Sequence, residues 1–169
     1  MNFFEAIHGI DLSSPGWDMY VLLIFITGVA SFMFKWGKGR AFWITVSGYA
    51  ALALTGKLAL ITQVTGVELG GSFTSRTVFF LVLTLALYLA FLRSDFVLAP
   101  TRSPKSAWFQ TLVMGFLALG FLTSAVMSFL GAGEQQQLSI FLRMAFVDSG
   151  AQFFWLVSPL LAILILKDN

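Results

Sequence analysis

Cysteine is absent from the 169 residues, and histidine appears once, as His8. The first absence removes disulfides, thiolate metal sites, iron–sulfur clusters and a thiol nucleophile. The second leaves no paired-histidine metal or haem site within a single chain, so neither a metal nor a cofactor is expected. Charge is scarce too: Asp, Glu, Lys and Arg make up 11% of the chain, against about a quarter in a soluble domain whose surface faces water. The net charge of +2 comes without any basic block suited to nucleic acid. What fills the chain is apolar, with 58% hydrophobic and 16% aromatic residues. That composition excludes an ordinary water-soluble globule and makes lipid the expected solvent.

The apolar residues gather into four long runs and one shorter, mixed one: Trp17 to Phe34, Ala41 to Val64, Thr77 to Leu92, Trp108 to Leu130, and Ser149 to Leu166. About 20 residues at 1.5 Å rise cross a hydrocarbon core, so the two shortest runs reach across only with flanking residues. None shows the alternation of a barrel strand, and backbone in lipid must satisfy its own hydrogen bonds. The expected fold is therefore all-α, a polytopic helical membrane bundle of five transmembrane helices, or four if the last run does not cross. Residues 17–169 then form one membrane domain. Before it, Met1 to Gly16 reads as an amphipathic segment lying at the membrane surface and a turn, with Phe3, Phe4, Ile7 and Ile10 on one face and Ser14-Pro15 as a helix start. Leu138 to Val147 reads as a second interfacial segment, its face of Leu138, Phe141, Leu142, Ala145 and Phe146 turning near Asp148 into the last run. Within that run Pro159 is expected to kink the helix, with Ser158 relieving the lost bond.

The few charges are one-sided. Lys35, Lys38, Arg40, Arg93, Arg102, Lys105 and Lys167 fall on one side of a five-span chain, and Arg76 and Arg143 on the other. The positive-inside rule makes the first side cytoplasmic, with the N-terminus outside and the C-terminus inside. Trp17 and Tyr20 mark the outer edge, and Trp36, Trp43 and Trp108 the inner one. Gly37-Lys38-Gly39-Arg40 has the composition of a phosphate loop without its spacing. It reads as a tight basic hairpin that, with Lys35, Arg102 and Lys105, sets topology and meets anionic headgroups.

Lys57 is left inside the second run. Counted from Ala41 it stands roughly 24 Å up that span and about 10 Å from its outer end at 1.5 Å per residue. A charge at that depth costs about 3 kcal/mol on insertion scales. Three readings follow: the stem snorkels to the headgroups, the ammonium pairs with an acid, or it serves transport. Asp148 is the best partner, and Asp18 sits at the same outer level; each acid is also explained by the N-terminal dipole of its own helix. Ser47, Ala51 and Thr55, like Gly120 and Ser124, recur every fourth residue, the spacing of close helix contact, either as an oligomer seam or as packing within one bundle.

No Ser–His, His–Glu or glycine-rich phosphate pattern stands in usable context, so a non-enzymatic role is expected. An acid at the outer start of the first span (Asp18), a short basic glycine-containing hairpin (Phe34 to Arg40), a second span rich in small residues (Phe42 to Gly56), a polar outer loop, a third span, a basic inner loop and a glycine-rich fourth span (Gly115 to Ser124) make up a distinctive order of features. This layout, over Trp17 to Leu130, resembles the bacterial colicin V production protein family; the run from Ser149 to Leu166 departs from the four-span pattern. The resemblance implies a bacterial inner-membrane protein of envelope physiology and toxin export, with no catalytic residues to carry over. The expected role is a membrane scaffold or accessory subunit of an envelope or secretion assembly, embedded in the lipid bilayer as a homo-oligomer or beside a membrane-protein partner. The alternative is a channel or transporter subunit using Lys57.

Overall fold

The computed structural model describes residues 17–31, 37–65, 71–93, 107–136 and 138–165, and these are helical throughout apart from short turns, with no strand among them. Helix α1 spans Trp17–Ser31, α2 Gly37–Thr55, α3 Leu58–Thr65, α4 Phe73–Arg93 and α5 Ala107–Met127. A short turn α6 (Ala132–Gln135) follows, then α7 (Ile140–Leu142), which widens into a π-helical segment at Arg143–Val147, and last α8 (Ser149–Ile165). The amphipathic segment expected over residues 1–16, with His8, lies outside the described residues. So do Lys35, Arg102, Lys105 and Lys167.

Two packing layers fix the helix directions. Ala41, Ile44, Tyr88, Met114 and Ala162 share one buried cluster, and Ala51, Phe80 and Ala125 share another. Thus α2 and α5 run parallel, while α4 and α8 run opposite to them. Helix α1 lies against α5, with Phe25 edge-on to Phe116 at 5.4 Å between centroids. One end of the bundle carries Arg40 and Arg93, the other Lys57, Arg76, Arg143 and Asp148.

Five full crossings do not follow from these helices. Two, Phe73–Arg93 and Phe109–Met127, are long and apolar enough to cross a membrane. A third crossing results if the bent pair Ile140–Val147 and Ser149–Ile165 counts as one. Among the described residues helix α1 has 15 residues, about 22 Å at 1.5 Å per residue, against a hydrocarbon core of about 30 Å. The second run is divided: α2 stops at Thr55 and α3 begins at Leu58, so the helix expected to continue through Lys57 to Val64 is broken there. The basic hairpin is likewise replaced, because Gly37 to Arg40 form the first turn of α2. Continuing the helix through these residues pairs backbone groups that a hairpin at the membrane edge leaves open.

Four buried hydroxyls in this interior bond to their own helix. Thr45, Ser47, Thr55 and Thr84 each donate to the carbonyl four residues earlier at 2.7–2.8 Å, which satisfies a polar atom without a second helix. The Ser47, Ala51 and Thr55 row is buried inside the chain's own bundle, which decides the small-residue spacing in favour of packing within one bundle. Outside, α4 exposes Val78, Leu81, Val82, Leu85, Leu89 and Leu92. Similar apolar faces on α1 and α8 complete a surface suited to lipid and costly in water.

Candidate functional site

The Lys57 end holds the polar features. At the close of α2, Gly56 N–H donates to the Leu52 carbonyl at 2.9 Å and Lys57 N–H to the Leu54 carbonyl at 2.9 Å, a tightened last turn that ends the helix. Lys57 is exposed at this break, on neither helix. At the start of α4 the Ser72 hydroxyl accepts from Ser75 N–H at 3.2 Å, capping the helix. The Ser72 carbonyl accepts from Arg76 N–H at 3.1 Å. These local bonds place Arg76 opposite the break. Between them opens a cleft of about 700 Å³ with Leu52, Leu58, Ala59 and Phe129 as its apolar wall and Thr55, Thr62 and Arg76 as its polar groups.

A second constellation joins α5 and α8. The Trp155 ring lies over Gly120, where an added Cβ would stand 1.9 Å from it. It stacks on Phe146 at 5.5 Å and 14°, and its indole N–H donates to the Ala145 carbonyl at 2.6 Å. The Ser124 hydroxyl donates to the Phe146 carbonyl at 3.0 Å. Carbonyls at the end of a helix have no donor of their own, and here two side chains from other helices satisfy them. The chain then bends by 48° before α8, matching the turn expected near Asp148. The Tyr49 hydroxyl donates to the Leu156 carbonyl, and its ring stacks on Phe121 at 4.3 Å. Pro159 supplies no N–H to the Trp155 carbonyl, and Ser158 does not relieve that lost bond: its hydroxyl oxygen is buried with no hydrogen-bond partner.

The expected site residues gather only in part. The helix directions bring Lys57 and Asp148 to the same end, and the side chain of Asp18 lies outside the described residues. Lys57 and Asp148 are both exposed, and no ion pair joins them among the described residues. Asp148 serves α8 instead: its carbonyl accepts from Gln152 N–H at 2.9 Å, the position at which an acid meets the positive end of the helix dipole. Of the residues assigned to topology and headgroups, Arg40 is exposed at the opposite end and Lys38 lies in the first turn of α2. Compared with protein-family models, curated proteins and solved structures, the chain matches none. Sequence reasoning missed Arg76 as part of a cleft and Trp155 as a lock. Gly56-Lys57 inside an apolar run was the available signal for the first, and Gly120 with Ser124 for the second. Among the described residues no group of His, Asp and Glu suits a metal ion.

Proposed function

We propose that the chain is a non-enzymatic integral membrane protein that serves as a scaffold or accessory subunit of an envelope or secretion assembly in a bacterial inner membrane. The observation that carries this reading is a filled interior. From Ala41 and Met114 at one end to Phe80, Phe121 and Ala125 toward the other, core positions hold apolar side chains, and the hydroxyls of Thr45, Thr55 and Thr84 are committed to their own helix. A bundle packed this way presents its outer faces rather than a path through its axis. The layout similar to the colicin V production family supports the envelope setting, and the basic residues support an N-terminus outside and a C-terminus inside. Two or three helices cross fully, and the shorter ones pack beside them. The test is the mass of the complex extracted in a mild detergent. A defined homo-oligomer or a stoichiometric membrane-protein partner is expected, and a clean monomer without partner overturns the reading.

A second reading, a channel or transporter subunit, is favoured by one observation: the break at Gly56-Lys57 opens beside a cleft holding Thr62 and Arg76. Discontinuous helices build substrate sites in many transporters. It requires that Lys57→Met abolish flux in reconstituted vesicles while expression persists; unchanged flux removes it.

A further inference from the structure

Near the end of the bundle that carries Lys57 and Asp148, helices α2, α5 and α8 do not close completely. They leave a notch of about 90 Å³, with Leu52, Phe121 and Leu156 as its apolar sides and Ser124, Ser128 and Gln152 as its polar groups. Gln152 lies about 6 Å along α8 from Asp148 at 1.5 Å per residue, just inside that end. Its backbone N–H is committed to the Asp148 carbonyl at 2.9 Å, but its side-chain amide has no hydrogen-bond partner among the described residues. A carboxamide brings two N–H donors and an accepting oxygen. The serines bring acceptors: Ser124 donates to the Phe146 carbonyl at 3.0 Å and Ser128 to the Ala125 carbonyl at 2.7 Å, so each oxygen keeps lone pairs for a further donor.

The occupant of such a notch has to donate and accept at once. Among the described residues no charged side chain lines it, so an ion finds no counter-charge there. An acyl chain leaves the amide unpaired, and a buried polar group without a partner is costly. Water meets both demands. One water needs about 10–15 Å³ and two to four polar partners, and about 90 Å³ leaves room for more than one. We propose that the notch is a water site, in which a small cluster bridges the Gln152 amide to the Ser124 and Ser128 oxygens and so ties α8 to α5 beside the Trp155 contact. Leu52 lines both this notch and the larger cleft at the helix break, so its side chain is the partition past which the water exchanges. The inference rests on the packing of three helices and on neither the scaffold nor the transport reading.

The test is X-ray radiolytic footprinting of the full chain in phospholipid nanodiscs, in which water held against a side chain yields hydroxyl radicals there and oxidises it. Phe121 and Phe80 carry the same ring and are both buried, at 2% and 0% exposure, but of the two only Phe121 lines the notch. Phe121 is expected to be oxidised while Phe80 stays protected. Gln152→Leu removes the amide at similar side-chain length and brings Phe121 down to the level of Phe80. Ser128→Val keeps the amide but fills part of the notch, so it also lowers oxidation of Phe121, and it carries the test if Gln152→Leu does not fold. Ser47→Ala removes a hydroxyl bonded within its own helix and outside the notch, and leaves Phe121 as it was. Phe121 as protected as Phe80 in the parent protein, oxidation that survives Gln152→Leu or Ser128→Val in folded protein, or an equal loss in Ser47→Ala overturns the proposal.

Discussion

The indole of Trp155 occupies the space that any side chain at position 120 would need. The nearest ring carbon stands 1.9 Å from where a Cβ would sit on Gly120, so the contact between α5 and α8 depends on a hydrogen atom being there. Phe116 and Phe146 hold the indole from other directions, each at 5.5 Å between centroids, leaving it little room to move aside.

Gly120→Ala is therefore expected to destabilise the bundle by about 1–3 kcal/mol, the usual cost of overpacking a filled interior. Thermal melting of the detergent-solubilised protein measures it. Adding Trp155→Leu makes room for the new methyl group, so the double variant is less unstable than the sum of the two singles. An unchanged melting point in Gly120→Ala contradicts the geometry.

The carbonyls of the π-helical segment supply a second prediction. Trp155→Phe keeps an aromatic ring but leaves the Ala145 carbonyl without its donor, and Ser124→Ala does the same to Phe146. A buried polar group left unpaired costs about 1–3 kcal/mol. Both variants are expected to lower the melting point and to quicken hydrogen exchange at Asp148, whose N–H donates to the Arg143 carbonyl in that segment. Protection equal to that of the parent protein counts against the role given to these side chains.

Tyr49 makes a separate tie to α8. Tyr49→Phe preserves the ring that stacks on Phe121 and removes only the hydroxyl that donates to Leu156. The expected loss is about 1 kcal/mol, the net worth of one intramolecular hydrogen bond. A loss much larger than this assigns the residue a packing role that its ring geometry does not explain.

Lys57 and Asp148 are expected to act independently. Lys57→Met and Asp148→Asn, alone and together, should change the yield of folded protein additively, because each side chain is exposed and no ion pair joins them among the described residues. Asp148→Asn retains a residue type favoured at the start of a helix, so its own effect is small. A coupling well beyond the usual additivity error of about 0.5 kcal/mol restores the pair.

The helical character of the chain and the apolar faces on its outside were legible from run length and scarce charge, and so was the turn at Asp148, where the apolar face from Leu138 to Phe146 ends. The number of full crossings was not. Composition measures how apolar a run is, whereas a crossing depends on where the helix stops, and Gly56-Lys57 stops one inside an apolar stretch. The π-helical widening at Arg143–Val147 was also out of reach, because two of its carbonyls are satisfied by Trp155 and Ser124 from other helices. Nor could the spacing of Ser47, Ala51 and Thr55 choose between an oligomer seam and internal packing, since both require small side chains four residues apart; the positions of Phe80 and Ala125 decide it.

The Gly120 notch also sets an order of assembly. Helix α5 is synthesised before α8, so the notch stays open on the nascent chain until Trp155 has emerged and been seated. The joint with the least clearance among the described glycines is thus among the last to close, and a chain halted before α8 is left with an unfilled groove along α5.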